Sequence, residues 1–157
     1  MEFVLGRRLL EEPGASFNYN TGASHLLSVI ITRATGQDTY SFARENLFSP
    51  IGIGEVEWRT DPQGYYAGGT DLWMCAEDLA RFGLLYLHNG RWDEEQIIPA
   101  DWVELSTTSH SKGSRIGGGQ YGFQWWTTSL LVGTEFVECF YGWALRASIS
   151  TWFPNMI

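Results

Sequence analysis

Apolar side chains recur at helical spacing through most of the chain and in short extended runs toward its end. Spacings of three and four residues predict helices over residues 22–35, 39–47 and 76–88, a short helix with Pro99 at its first position, and the end of another helix at residues 3–10. Alternating and β-branched runs predict short extended pieces at 56–58 and 96–98, then strands over 121–127, 135–140 and 146–153. Helices first and strands last is the order of an α+β fold with an antiparallel sheet.

Composition and charge narrow the function classes. The 157 residues are 44% hydrophobic, which suffices for the core of one domain or a large piece of one and excludes a disordered chain. A net charge of −8 repels phosphate backbones, so nucleic acid is not expected as a partner. No apolar run approaches the roughly 20 residues that a membrane-spanning helix needs, so no transmembrane segment is expected.

Cysteine and histidine spacing gives no metal-binding pattern. Cys75 and Cys139 are expected to be free thiols, although one disulfide between them remains possible. His25, His88 and His110 are far apart and share no ligand spacing. We therefore expect neither a metal nor another cofactor.

Four segments in order along the chain carry a resemblance to one family. They are Pro-Gly-Ala-Ser-Phe-Asn-Tyr-Asn-Thr-Gly at 13–22, Leu-Phe-Ser-Pro-Ile-Gly at 47–52, Gly68-Gly69 leading to the helix at 78–87, and Tyr-Gly-Phe-Gln-Trp-Trp at 121–126. Together they resemble the β-lactamase-related serine hydrolases, which include class C-like β-lactamases, penicillin-binding proteins, esterases and nylon-oligomer hydrolases. The resemblance implies a partial β-lactamase/transpeptidase-like fold, with residues 1–157 as a single partial domain.

The chemistry of this family needs a Ser activated by a Lys one turn later, a Tyr that moves the proton, and a third motif on an edge strand that supplies an oxyanion donor. Tyr19 matches the family's Tyr, so the resemblance implies that it is the general base and acid. Without that context, Tyr19 would be an aromatic ring packed under a loop.

Three further positions near Tyr19 are candidates for binding substrate. Thr21 stands where the family most often has Asn, and its hydroxyl offers a single donor; the alternative is an N-cap for the following helix. Gly68 and Gly69 would let the backbone approach the floor of the pocket; the alternative is a simple loop turn.

The other two catalytic motifs are missing or altered. The one literal Ser-x-x-Lys, at residues 109–112, follows Tyr19 in a polar loop, and we interpret it as chance. Tyr141, Gly142 and Trp143 stand near the place of the third motif without its glycines, so they are candidate substrate-binding residues. We expect the part of the domain with the nucleophile to be missing from these residues, and residues 127–157 to be divergent or truncated.

The leading hypothesis is therefore a fragment or truncated member of a serine hydrolase family. The whole enzyme would cleave a small ester or amide through an acyl-enzyme, and this chain would be inactive alone. One alternative is a non-catalytic scaffold or remnant of the same fold. Another is an aromatic-rich carbohydrate-binding module, suggested by the eight Trp residues. Modules of that kind are usually all-β.

Overall fold

The computed structural model describes residues 2–111, 119–142 and 150–152. The chain forms two compact units, Met1–Asp78 and Leu79–Ile157. Among the described residues, no helix has the length and apolar character required to cross a membrane.

The first unit is mainly helical. It contains α1 (Glu2–Leu5), α2 (Thr21–Thr35), α3 (Thr39–Ala43) with a π-helical continuation over Arg44–Phe48, and a hairpin of β1 (Glu57–Trp58) with β2 (Leu72–Trp73). The predicted helices at 22–35 and 39–47 are confirmed. Helix α2 begins after an N-cap at Asn20 and ends at Gly36, which takes the left-handed conformation expected of a C-terminal glycine.

Burial in the first unit combines aliphatic side chains with hydrogen-bonded hydroxyls. Val29, Phe48, Ile51 and Ile53 are buried. Ser28 and Thr39 are buried as well, and their hydroxyl oxygens lie 2.7 Å apart. The Thr39 hydroxyl also lies 2.9 Å from the Ser28 carbonyl oxygen, where it can donate, so the start of α3 is hydrogen-bonded to the middle of α2.

The second unit contains the main sheet. Helix α4 (Ala76–Leu87) leads into it and is followed by the elements β3 (Arg91–Trp92), β4 (Glu95–Gln96), α5 (Ala100–Thr107), β5 (Gln120–Tyr121), β6 (Trp126–Val132), β7 (Glu135–Gly142) and β8 (Ser150–Trp152). Strands β5 to β8 form one antiparallel sheet in chain order. The α+β fold class and the antiparallel sheet are thus confirmed, and the helices exclude an all-β carbohydrate-binding module.

The core of the second unit is aromatic. Tyr86, Val103, Trp125 and Phe140 are buried together, and Phe82 packs against them. The Trp125 ring lies 4.7 Å from that of Tyr86 and meets Phe140 edge-on at 5.1 Å, measured between ring centroids. Tyr86 and Phe82 come from α4 and Phe140 comes from β7, so α4 packs against the sheet.

Two local predictions for the second unit differ from the structure. The single strand expected over 121–127 is wrong: residues 122–125 form a turn between β5 and β6, with Gln124 at a positive φ of 66°. Trp125 lies in that turn, whereas Trp126 begins β6, and both side chains are buried. Pro99 is the N-cap of α5 and not its first helical residue. Of the strand expected over 146–153, the described part is β8.

Candidate active site

Tyr19 lies directly before α2, as predicted. It precedes the N-cap Asn20, whose backbone is extended, and its side chain is 46% exposed. An exposed phenol at the start of a helix is accessible to a ligand. The alternative of a ring packed beneath a loop therefore does not describe this residue.

The helix that follows Tyr19 is capped by Asn20 and not by Thr21. The Ala23 N–H donates to the Asn20 side-chain oxygen at 3.2 Å, so the proposed N-cap role of Thr21 is wrong. Thr21 is instead the first residue of α2, and it is exposed. Its hydroxyl is not needed to cap the helix.

Gly68 and Gly69 lie against the first turns of α2. A Cβ at Gly69 would lie 2.7 Å from the Thr21 carbonyl oxygen, and one at Gly68 would lie 2.8 Å from the Ser24 carbonyl oxygen. Real Cβ atoms do not approach backbone oxygen this closely, so a side chain here would push the loop away from the helix. The structure thus brings Gly69 against Thr21, which is the second residue after Tyr19.

A histidine that the sequence did not single out connects this loop to the helix. His25 is on α2, one turn after Thr21, and its Nε2 lies 3.0 Å from Asp61 Oδ2. The Gly68 N–H donates to His25 Nδ1 at 3.2 Å. The one sequence signal was the spacing of four residues from Thr21, since residues four apart share a helix face.

Asp61 completes this hydrogen-bonded group. Its other carboxylate oxygen, Oδ1, accepts from the Gln63 N–H at 2.8 Å and from the Tyr65 N–H at 3.0 Å. Burial raises the pKa of Asp61, but the hydrogen bonds from His25 and from these two N–H groups outweigh it, so the pKa lies below its ordinary value. The carboxylate is therefore ionised at neutral pH.

The candidates in the second unit lie on or after β7. Tyr141 is half-buried, and burial, with a smaller contribution from Cys139, raises the pKa of its phenol. Among the residues that the structure describes, Gly142 has no neighbour within 4 Å of the position a Cβ would occupy, so no close contact with them requires glycine there. Trp143 lies outside the described residues.

Strand β7 is not at the edge of the sheet. It pairs with β6 on one side and with β8 on the other, where Gly142 faces Ser150. This differs from the edge strand that the resemblance implies for the third motif.

The family is decided by comparison with known proteins. The family model described as Beta-lactamase matches residues 1–148 of the chain. The chain belongs to the β-lactamase family.

Solved structures agree with this family assignment. A Bacillus anthracis protein provisionally described as a 6-aminohexanoate-dimer hydrolase is 25% identical, with a TM-score of 0.70 over 94% of this chain and 41% of its own. A provisionally described β-lactamase from Bacteroides dorei DSM 17855 is 18% identical, with a TM-score of 0.79 over 98% and 51%. An octameric penicillin-binding protein homologue from Pyrococcus abyssi is 17% identical, with a TM-score of 0.62 over 90% and 39%.

This β-lactamase-family chain therefore spans about half or less of the length of the solved structures it matches. No curated protein matches it significantly.

The second unit of this β-lactamase-family chain contains a cavity of about 650 Å³ between α5 and the sheet. None of the predicted site residues that the structure describes lines it. Its wall includes Cys139, whose pKa is raised by burial and by the neighbouring Glu138.

Cys75 is exposed, and both cysteines are free thiols, as expected. Within the described ranges, no group of three or more His, Cys, Asp and Glu side chains could hold a metal ion.

The Ser109 hydroxyl does not stand at the start of a helix, where the family places its nucleophile. It follows the end of α5 and donates to the Ser111 carbonyl oxygen at 3.3 Å. Lys112 lies outside the described residues. This location agrees with the interpretation of the local Ser-x-x-Lys as chance.

Proposed function

We propose that this chain is the part of a serine hydrolase that provides the proton-transferring tyrosine, in an enzyme that cleaves small ester or amide substrates through an acyl-enzyme. The observation that carries the proposal is the corner formed by the exposed Tyr19, the first turn of α2 and the Gly68-Gly69 backbone packed against that turn. Family membership supplies the chemical role for such a tyrosine.

Tyr19 would act as general base and acid in this reaction. It would accept the proton of the attacking serine and donate a proton to the leaving group. Formation and hydrolysis of the acyl-enzyme each need such a pair of proton transfers. Thr21 and the two glycines would line the substrate beside it. Tyr141, Gly142 and Trp143 stay candidate substrate-binding residues, and their support is the family resemblance alone.

The chain alone is proposed to be inactive. A nucleophile, its base and the oxyanion donors act as a unit, so loss of the nucleophile costs about as much as loss of the whole set. In these 157 residues the only Ser-x-x-Lys is the one at Ser109. The proposal therefore places the nucleophilic serine on sequence outside these residues. Residues 1–157 are then a single partial domain.

A fluorophosphonate probe tests the inactivity. We expect no covalent serine label on the chain above a heat-denatured control, by intact mass and peptide mapping. A label on Ser109 that disappears in Lys112→Ala and in Tyr19→Phe would overturn the proposal and make these residues a complete hydrolase.

The role of Tyr19 is tested in the longer protein that the coding DNA specifies. If that DNA encodes a Ser-x-x-Lys upstream in the same frame, Tyr19→Phe should lower kcat for a chromogenic ester by about 10²–10⁴-fold, with KM nearly unchanged. Tyr40→Phe is the matched control, since it also removes one phenol hydroxyl and keeps the ring that packs on Tyr66. An equal loss in both variants, or no Ser-x-x-Lys in either flank, would favour the non-catalytic scaffold.

A further inference from the structure

His25 uses both ring nitrogens to hold one loop. Its side chain is 18% exposed, and its two partners, Asp61 and Gly68, stand at the two ends of a single loop segment. No part of the family's catalytic chemistry described above employs this residue. Its position one turn from Thr21 places it next to the proposed site.

The hydrogen bonds determine where the ring proton is. A backbone N–H can only donate, so the bond from Gly68 requires a lone pair on Nδ1. The proton of a neutral ring is then on Nε2, which donates to Asp61. These two contacts together give His25 one acceptor and one donor, which is the tautomer with its proton on Nε2.

Internal hydrogen bonds organise the loop next to its attachment at Asp61. Asp61 N–H donates to the Tyr65 carbonyl oxygen at 2.8 Å, and Gly64 takes a positive φ of 89° within the same turn. The Asp61 carboxylate accepts two further N–H groups of the turn, so the residue that His25 binds also organises the turn itself. A shift of the His25 ring would therefore move the loop as one piece.

The consequence reaches the residues beside Tyr19. Gly68 receives the second attachment, and Gly69, the next residue, lies against the Thr21 carbonyl oxygen. Thr21 is the second residue after Tyr19. The hydrogen bond from Gly68 to His25 thus holds the glycine wall against α2. The neighbouring Ala67 is held to the β1 side of the loop by its N–H, which donates to Arg59, and by its carbonyl oxygen, which accepts from Trp58.

We propose that His25 is a positioning residue, which fixes the Asp61–Gly68 loop so that Gly69 forms the wall of the substrate site beside Tyr19. This inference rests on the proposed function, in which Tyr19 and the two glycines belong to one site.

Two amide variants separate the two attachments. In His25→Asn, the side-chain oxygen can replace Nδ1 as the acceptor for Gly68, while the donor to Asp61 is lost. In His25→Gln, the side-chain nitrogen can replace Nε2 as the donor to Asp61, while the acceptor for Gly68 is lost. Both variants remove the imidazole, so a difference between them reports on hydrogen bonding and not on ring packing.

The experiment is NMR on the full 157-residue chain. In the wild type, the ¹⁵N shifts of His25, assigned from their loss in His25→Asn, should show the neutral ring with its proton on Nε2. Exchange of the Gly68 amide should be about tenfold faster in His25→Gln, as for loss of one hydrogen bond, and within about twofold of wild type in His25→Asn. The ¹³Cζ resonance of Tyr19 should move in His25→Gln and stay in place in His25→Asn.

Several results would overturn the proposal. A proton on Nδ1 of wild-type His25 would do so without any variant, and that result stands even if a variant does not fold. Equal acceleration of all α2 amides in both variants would show a packing role only. A Tyr19 resonance that responds to neither variant would show that positioning does not reach the site. These measurements do not depend on turnover, so their failure is distinct from failure of the proposed function.

Discussion

The two units of the chain bury different kinds of side chain. In the first unit, buried Ser28 and Thr39 share hydrogen bonds between two helices, and half-buried His25 and Asp61 hold a loop. In the second unit, the buried cluster of Tyr86, Val103, Trp125 and Phe140 is mainly aromatic.

This difference separates stability from positioning. Burial of a large apolar side chain contributes several kcal/mol to stability, and this contribution depends little on the orientation of the contacting groups. A hydrogen bond contributes only about 0.5–1.5 kcal/mol net, but it requires one geometry, and an unpaired buried partner is costly. The proposed catalytic tyrosine lies in the first unit, where the buried hydroxyls and the His25–Asp61 contact are directional. The predictions below test this contrast.

The largest effect is expected from the aromatic core. Trp125→Ala should lower the free energy of unfolding by about 3–5 kcal/mol, because the ring leaves a cavity among Phe82, Tyr86 and Phe140. Urea denaturation followed by circular dichroism measures this loss. Trp102→Ala is the matched control: that ring is 46% exposed, and its loss should cost about 1 kcal/mol or less. Equal losses would mean that burial in the aromatic cluster is not what stabilises the second unit.

An intermediate effect is expected from the buried hydroxyls. Thr39→Val keeps the shape of the side chain but removes the oxygen that bonds Ser28, and it should cost about 1–3 kcal/mol. Thr35→Val makes the same change at an exposed hydroxyl, where water can replace the lost bond, and it should cost about 0.5 kcal/mol or less. Urea unfolding of both variants decides the matter. If Thr39→Val costs no more than Thr35→Val, the buried hydroxyl hydrogen bonds do not stabilise the first unit.

The smallest effect is expected at the cap of α3. Asp38 accepts from the Ser41 N–H at 2.9 Å, so Asp38→Ala should cost about 1 kcal/mol, whereas Asp38→Asn keeps an acceptor and should cost less. This exposed cap lies outside the buried network, and a cost above that of Thr39→Val would contradict the ranking.

The Asp38 cap also predicts a pH dependence. The backbone and side-chain hydrogen bonds from Ser41 hold the pKa of Asp38 below its ordinary value. A lowered folded-state pKa gives stability that is present above the unfolded value of about 3.9 and is lost as pH falls through the folded value. The wild type should therefore lose this contribution below about pH 4, and Asp38→Asn should not. Unfolding of both proteins between neutral pH and pH 3 measures the difference; parallel curves would contradict it.

Elements with local signals could be predicted from the sequence. The helices at 22–35 and 76–88 follow from the helical spacing of apolar residues, and both are confirmed. The turn at residues 122–125 could not be predicted, because Gln124 adopts a left-handed backbone without glycine or asparagine. Tertiary contact overrides local preference there.

The site was predictable where one segment carries it and not where two segments meet. Tyr19 and Thr21 are candidates that a contiguous motif gives, and their roles stay predictions. The His25–Asp61 contact joins residues 36 positions apart, and each alone is an ordinary polar residue. The approach of Gly68 to α2 likewise depends on the path that the loop takes back to the helix. A local sequence pattern does not predict that path.

The unequal burial of the two cysteines has a practical consequence. Cys75 is exposed directly before α4, whereas Cys139 is buried and burial raises its pKa, so little of it is the nucleophilic thiolate. The unmodified chain therefore offers one addressable thiol for a maleimide dye. A fluorophore at Cys75 would be carried at the point where the first unit leads into the second, without any engineered mutation.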